Sequence, residues 1–168
     1  AETLERAPKT PLFLRTLAEA YQQLGQPEGL ARALDDLLPL LTDQSEILAT
    51  LQQLAEMYQR LERPSDEIRV WERIYELSPE LIFGDSNILL QLEHRYGTSG
   101  RHAEQASLLQ RALSRVDRPV SKLSPSDADH KRQLLLRLGQ VQHEFLQASA
   151  EATRTFEKVL IEWPEDRT

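Results

Sequence analysis

A short pattern recurs along this chain at a nearly constant interval. Leu14-x-x-Leu17-Ala18-x-x-Tyr21 returns 37 residues on as Leu51-x-x-Leu54-Ala55-x-x-Tyr58, and 38 residues after that as Leu89-x-x-Leu92-Glu93-x-x-Tyr96. A weakened copy reads Leu135-x-x-Leu138-Gly139-x-x-Gln142. Spacings of three and four put these side chains on one face of an α-helix. One such face cannot enclose a core alone, so copies in phase predict units that bury their stripes against one another.

The punctuation between copies agrees with this reading. Thr10-Pro11, Asp43-Gln-Ser-Glu46 and Ser124-Pro125 with Asp127 are N-cap signatures. Gly25-Gln-Pro27 separates the first apolar stripe from a second, Leu30, Leu34, Leu37, Leu38 and Leu41. Second helices are expected over Glu28 to Leu41, Ser65 to Leu77, Arg101 to Val116 and Ala150 to Glu162. A tight turn between two short helices sets them antiparallel. No segment alternates at period two, so the fold class is all-α.

Composition narrows the function classes. A formal charge of −7 argues against a nucleic-acid surface, which needs a basic face. The longest apolar stretches, such as Leu37 to Leu41, fall far short of a membrane span, so no membrane insertion is expected. There is no cysteine, which removes disulfides and thiol chemistry and leaves the redox compartment open. All but four of the 20 Lys and Arg residues are Arg, a hint of a GC-rich bacterial genome.

Catalytic chemistry finds no pattern to sit on. His94, His102, His130 and His143 form no H-E-x-x-H, and the six glycines are scattered with no phosphate loop among them. Asp127 and Asp129 beside His130 are better explained as groups at a helix start than as metal ligands. Asp35-Asp36 lies on a solvated helix face. The expectation is a protein that is not an enzyme, with no cofactor and no metal.

The residues resemble the tetratricopeptide repeat family. Ala152-x-x-x-Phe156 with Pro164, and Glu67-x-x-x-Trp71 with Pro79, follow its second helix and closing proline. "GRHAEQASLLQRALSRVD", Gly100 to Asp117, follows its turn and second helix, with Asp117 where the proline would stand. Leu replaces the family's first-helix Trp at 14, 51, 89 and 135, and its small slots hold Leu30, Glu67 and Gln105. The resemblance implies an α-helical repeat solenoid of antiparallel helix pairs in a right-handed superhelix. One array over 1–168 is expected, with repeats at about 10–43, 44–80, 84–117 and 125–164 and an inserted loop at about 117–126. From Pro125 the helix is expected to run as far as Gln147. Glu2 to Pro8 looks like the close of an earlier helix, a partial repeat over 1–9, so the segment is expected to belong to a longer array.

In that family the first helices line the concave side. Helical spacing then turns Arg15, Glu19 and Gln22, Gln52, Glu56 and Gln59, Asn87, Leu90 and His94, and Gln133, Leu136, Gln140 and His143 outward. Arg15, Glu19, Gln52, Glu56, Gln59, Leu90 and His94 are the expected partner-binding residues. This face is polar, amide-rich and nearly neutral, suited to an extended backbone or a polar helix. The family's carboxylate clamp uses Lys, Asn and Arg, and only Arg15 and Asn87 offer that chemistry. The expected function is a protein–protein interaction scaffold for a peptide or partner domain. The alternatives are a spacer in a large assembly and the regulatory repeats of an enzyme whose catalytic domain lies elsewhere.

Overall fold

The computed structural model describes residues 10–78 and 88–164. The partial repeat at 1–9 and the groove candidate Asn87 lie outside them. Among the described residues there are eight α-helices and no strand. They fall into two compact units, within Ala1–Pro79 and within Glu80–Thr168.

Three helix starts, those after Thr10, Asp43 and Ser124, are set by the caps read from the sequence. α1 (Pro11–Gln23) begins after Thr10, whose Oγ1 accepts from the Phe13 N–H at 3.3 Å. α2 spans Pro27–Leu37. α3 (Gln44–Arg60) is capped by Asp43, which accepts from the Glu46 N–H at 2.9 Å. α4 spans Pro64–Leu77. In the second unit α5 spans Ile88–Thr98 and α6 His102–Arg115. α7 (Pro125–Glu144) has a reciprocal cap: Ser124 Oγ accepts from the Asp127 N–H at 3.1 Å and donates to its carboxylate at 2.7 Å. α8 spans Ser149–Glu162. Proline opens α1, α2, α4 and α7, where its missing N–H costs no hydrogen bond.

The turn inside each pair is one device used repeatedly. Gly25, Glu62 and Gly100 take left-handed backbone (φ +64°, +53° and +68°). The residue after each donates back to a tyrosine carbonyl: Gln26 to Tyr21 at 3.0 Å, Arg63 to Tyr58 at 2.9 Å, Arg101 to Tyr96 at 2.9 Å. With the bonds from Gly25 to Gln22, Glu62 to Gln59 and Gly100 to Gly97, these are Schellman caps. The fourth turn bends at Gln147 (φ +53°) and bonds Ala148 to Gln142, one residue wider than the others. The fourth pair thus takes one residue more in its turn than the other three.

Within the first unit α1 packs on α2, α2 on α3 and α3 on α4; within the second α5 packs on α6, α6 on α7 and α7 on α8. The recurring stripe supplies the core. Leu14, Leu51, Leu54, Tyr58, Leu89, Leu92, Tyr96, Leu135 and Leu138 are all buried, and full burial of such a side chain is worth about 1.5–3 kcal/mol. Tyr58 and Tyr96 therefore pack between helices. Glycine lets the helices approach closely at two points. A Cβ on Gly29 would stand 2.5 Å from the Tyr21 ring, and one on Gly139 2.6 Å from the Phe156 ring. The close approach in the first pair thus falls at Gly29, one position before the slot occupied by Leu30. In the last pair the tyrosine position holds Gln142, and Thr155 Oγ1 donates to its side-chain oxygen at 2.8 Å. A polar substitution on one helix is answered by a polar residue on the next.

Two helix ends differ from the sequence reading. α2 stops at Leu37 and continues as a 3₁₀ turn over Leu38–Leu40, short of Leu41, because Pro39 has no N–H for the α pattern. α7 stops at Glu144, three residues before Gln147. There Phe145 turns out to stack on His102, with centroids 4.0 Å apart, and the chain enters its left-handed bend.

The loop ahead of α7 is anchored. It makes a 3₁₀ turn over Val120–Lys122, and Val120 packs on the cluster of Leu135, Val159 and Trp163. Lys131, almost wholly buried, donates to the Arg118 carbonyl at 3.0 Å and reaches Glu162 Oε1 at 2.9 Å and Oε2 at 2.7 Å.

Candidate functional site

Helical spacing turned the first-helix candidates outward, and the structure exposes every one that it describes. Arg15, Glu19 and Gln22 stand exposed on α1, and Gln52, Glu56 and Gln59 on α3. Leu90 and His94 are exposed on α5, and Gln133, Leu136, Gln140 and His143 on α7. The reason is local: each lies between the buried positions of its own stripe, on the opposite side of the helix.

In the first unit two of these residues, Gln22 and Glu56, border a cleft of about 270 Å³. Tyr21, Gln22, Leu30, Gln53, Glu56 and Arg60 contribute to it, with the Gly25–Pro27 turn at one end. Glu56 and Gln22 are thus brought together, while Arg15 is held apart by an ion pair with Glu46 at the start of α3. That pair is exposed, and its contribution is small. It also occupies the one guanidinium on this face that the sequence offered for a carboxylate.

The second unit has a shallow cleft of about 380 Å³ at the corresponding place, with Leu90 and His94 on its rim. Its floor was not foreseen. Glu93, buried on α5, meets Arg137 of α7 at 2.7 Å and takes a hydrogen bond from the Gln105 side chain of α6. Gln105 Oε1 in turn lies 3.2 Å from His102 Nδ1. Burial raises the Glu93 pKa above its ordinary 4.5, and the Arg137 charge and the Gln105 bond oppose but do not cancel that rise. Glu93 and Gln105 each occupy a slot where the resemblance implies a small residue. Two enlarged polar residues in facing slots were the available signal.

The second helices carry a different chemistry. On the first unit Tyr58 donates to Asp35, and Arg69 lies 3.7 Å from the same carboxylate and 3.4 Å from Asp66. Burial first, and then this bond, push the Tyr58 hydroxyl up to about 12. Arg63 covers the Tyr58 ring at 5.0 Å, and Arg101 covers Tyr96 in the same way. These contacts tie each pair to its own turn.

The pairing, the turns and the exposed first-helix faces define an all-α helical repeat built from antiparallel pairs. Its fold is that of the TPR-like repeats. It is similar to the crystal structure of Podosopora anserina putative kinesin light chain nearly identical TPR-like repeats. The TM-score is 0.51 and the identity 19%, over 96% of this chain and 80% of that one. The crystal structure of MamA protein aligns with a TM-score of 0.47 and 16% identity, over 95% of this chain and 76% of that one. No protein-family model matches the sequence, and no curated protein matches it.

Proposed function

We propose that this chain is a non-catalytic protein-interaction scaffold that holds a peptide or a partner domain along the first-helix faces of its units. The observation that carries the reading is the exposure, in both units, of the outward first-helix residues, of which Gln22, Glu56, Leu90 and His94 border a cleft. Gln52, Glu56 and Gln59 serve one unit, Leu90 and His94 the other, with Arg15 and Glu19 at a rim. Amide side chains donate and accept at once and so fit a backbone. With few aromatic anchors the affinity is modest, around micromolar or about −8 kcal/mol.

A paired change, Gln52→Ala with Glu56→Ala, tests this. Neither residue belongs to the core stripe, so partner capture is lost with helicity unchanged. Capture that survives this change but disappears with Arg73→Ala and Arg111→Ala moves the function to the second helices and overturns the reading.

A further inference from the structure

The cleft of the second unit is lined by an ion pair, Glu93 with Arg137. Arg137 is committed on one side to Glu93, at 2.7 Å. Its Nε is shut off from solvent, while the side chain as a whole keeps 29% of its surface exposed, so a ligand meets the outer part of the guanidinium. Glu93 is committed to both Arg137 and Gln105. The pair is closed on itself and carries no net charge. An incoming carboxylate either takes Arg137 and leaves Glu93 without its counter-ion, or joins the pair and sets two like charges side by side; an incoming ammonium faces the same choice at Arg137. Either outcome costs most at Glu93, the buried partner of a half-buried arginine. A neutral carbonyl pays no such exchange, because a guanidinium can serve a further acceptor while keeping its carboxylate. Beside the pair, Leu90 is 42% exposed, an apolar contact at the cleft rim.

We propose that this cleft binds an uncharged peptide segment, with a backbone or side-chain amide oxygen at Arg137 and an aliphatic side chain against Leu90. The proposal rests on the scaffold reading above and names the ligand class for one of its faces. The first unit lacks the device: Ala18 and Leu30 stand where Glu93 and Gln105 stand in the second.

The test is a titration of the full ¹⁵N-labelled chain with three small probes, N-acetyl-leucinamide, N-acetyl-aspartamide with its free side-chain carboxylate, and N-acetyl-lysinamide. Amide shifts centred on Leu90, His94, Gly97 and Arg137 are expected to saturate with the leucine probe, with both charged probes weaker by about tenfold or more. Arg137→Gln weakens the leucine probe by about fivefold; Leu90→Ala, which touches neither charge, also weakens it and serves as the variant that keeps its fold. Equal or tighter binding of either charged probe overturns the proposal, as does saturation elsewhere or no saturable shift. Partner capture by the same chain, measured in parallel, separates the two ideas: capture without probe selectivity removes the ligand class and keeps the scaffold.

Discussion

Replacing Gly139 by alanine pits two known quantities against each other. Gly139 sits inside α7, where alanine is worth about 1 kcal/mol through helix propensity alone. The added Cβ would stand 2.6 Å from Phe156 Cε1 and 2.7 Å from Cζ. Carbon atoms rest at about 3.5–4.0 Å, so the ring must retreat by roughly 1 Å. Overpacking of this kind costs about 1–3 kcal/mol. The net expectation is a loss of about 1 kcal/mol, where an isolated helix would gain that much. Phe156→Leu removes the ring edge that clashes, so in that background Gly139→Ala turns stabilising by about 1 kcal/mol. Urea unfolding of the four proteins, followed by far-UV circular dichroism, measures the coupling, expected at about 1–3 kcal/mol. Equal stabilisation by Gly139→Ala in both backgrounds would refute the close α7–α8 approach.

Three further outcomes follow from the same contacts. Glu62 holds left-handed backbone where two sister turns use glycine, so Glu62→Gly raises stability by about 0.5–1 kcal/mol, the left-handed penalty less the entropy glycine adds; a loss on chemical denaturation contradicts it. Because the folded pKa of Glu93 is raised from 4.5, its contribution is full below that value and is lost as pH rises through the folded pKa. The stability of Glu93→Gln relative to the parent therefore grows from acidic to neutral pH, and a flat or falling difference in urea titrations at several pH values sinks the argument. Lys131→Met removes the contacts to Arg118 and Glu162, costing about 1–3 kcal/mol; trypsin should then cut after Lys122 faster than in the parent, and unchanged cleavage means the loop is held by Val120 alone.

The sequence was most legible where structure is periodic and local. Leu-x-x-Leu-x-x-x-Tyr spacing and the caps at Thr10, Asp43 and Ser124 act within a turn or two of helix, and they placed the helices and their outward faces. Pro39 shows a local rule that apolar spacing concealed: the stripe continues to Leu41 while the α pattern cannot. The floor of the second cleft was harder to see, because Glu93 and Arg137 lie 44 residues apart and a Glu in a small-residue slot does not name its partner. Only the stacking of α5, α6 and α7 brings them to one point. The same holds for the loop before α7, whose anchors are Lys131 and a cluster completed by Val159 and Trp163.

The central claim is that the first-helix faces carry the partner. Photo-cross-linking in cells addresses it most directly, with benzoylphenylalanine placed singly at Gln52, His94, Arg73 and Arg111, all exposed. Each variant is first checked for parental helicity. The account predicts discrete protein adducts from positions 52 and 94 and none above background from 73 and 111. Adducts from 73 or 111, with positions 52 and 94 silent, would contradict it.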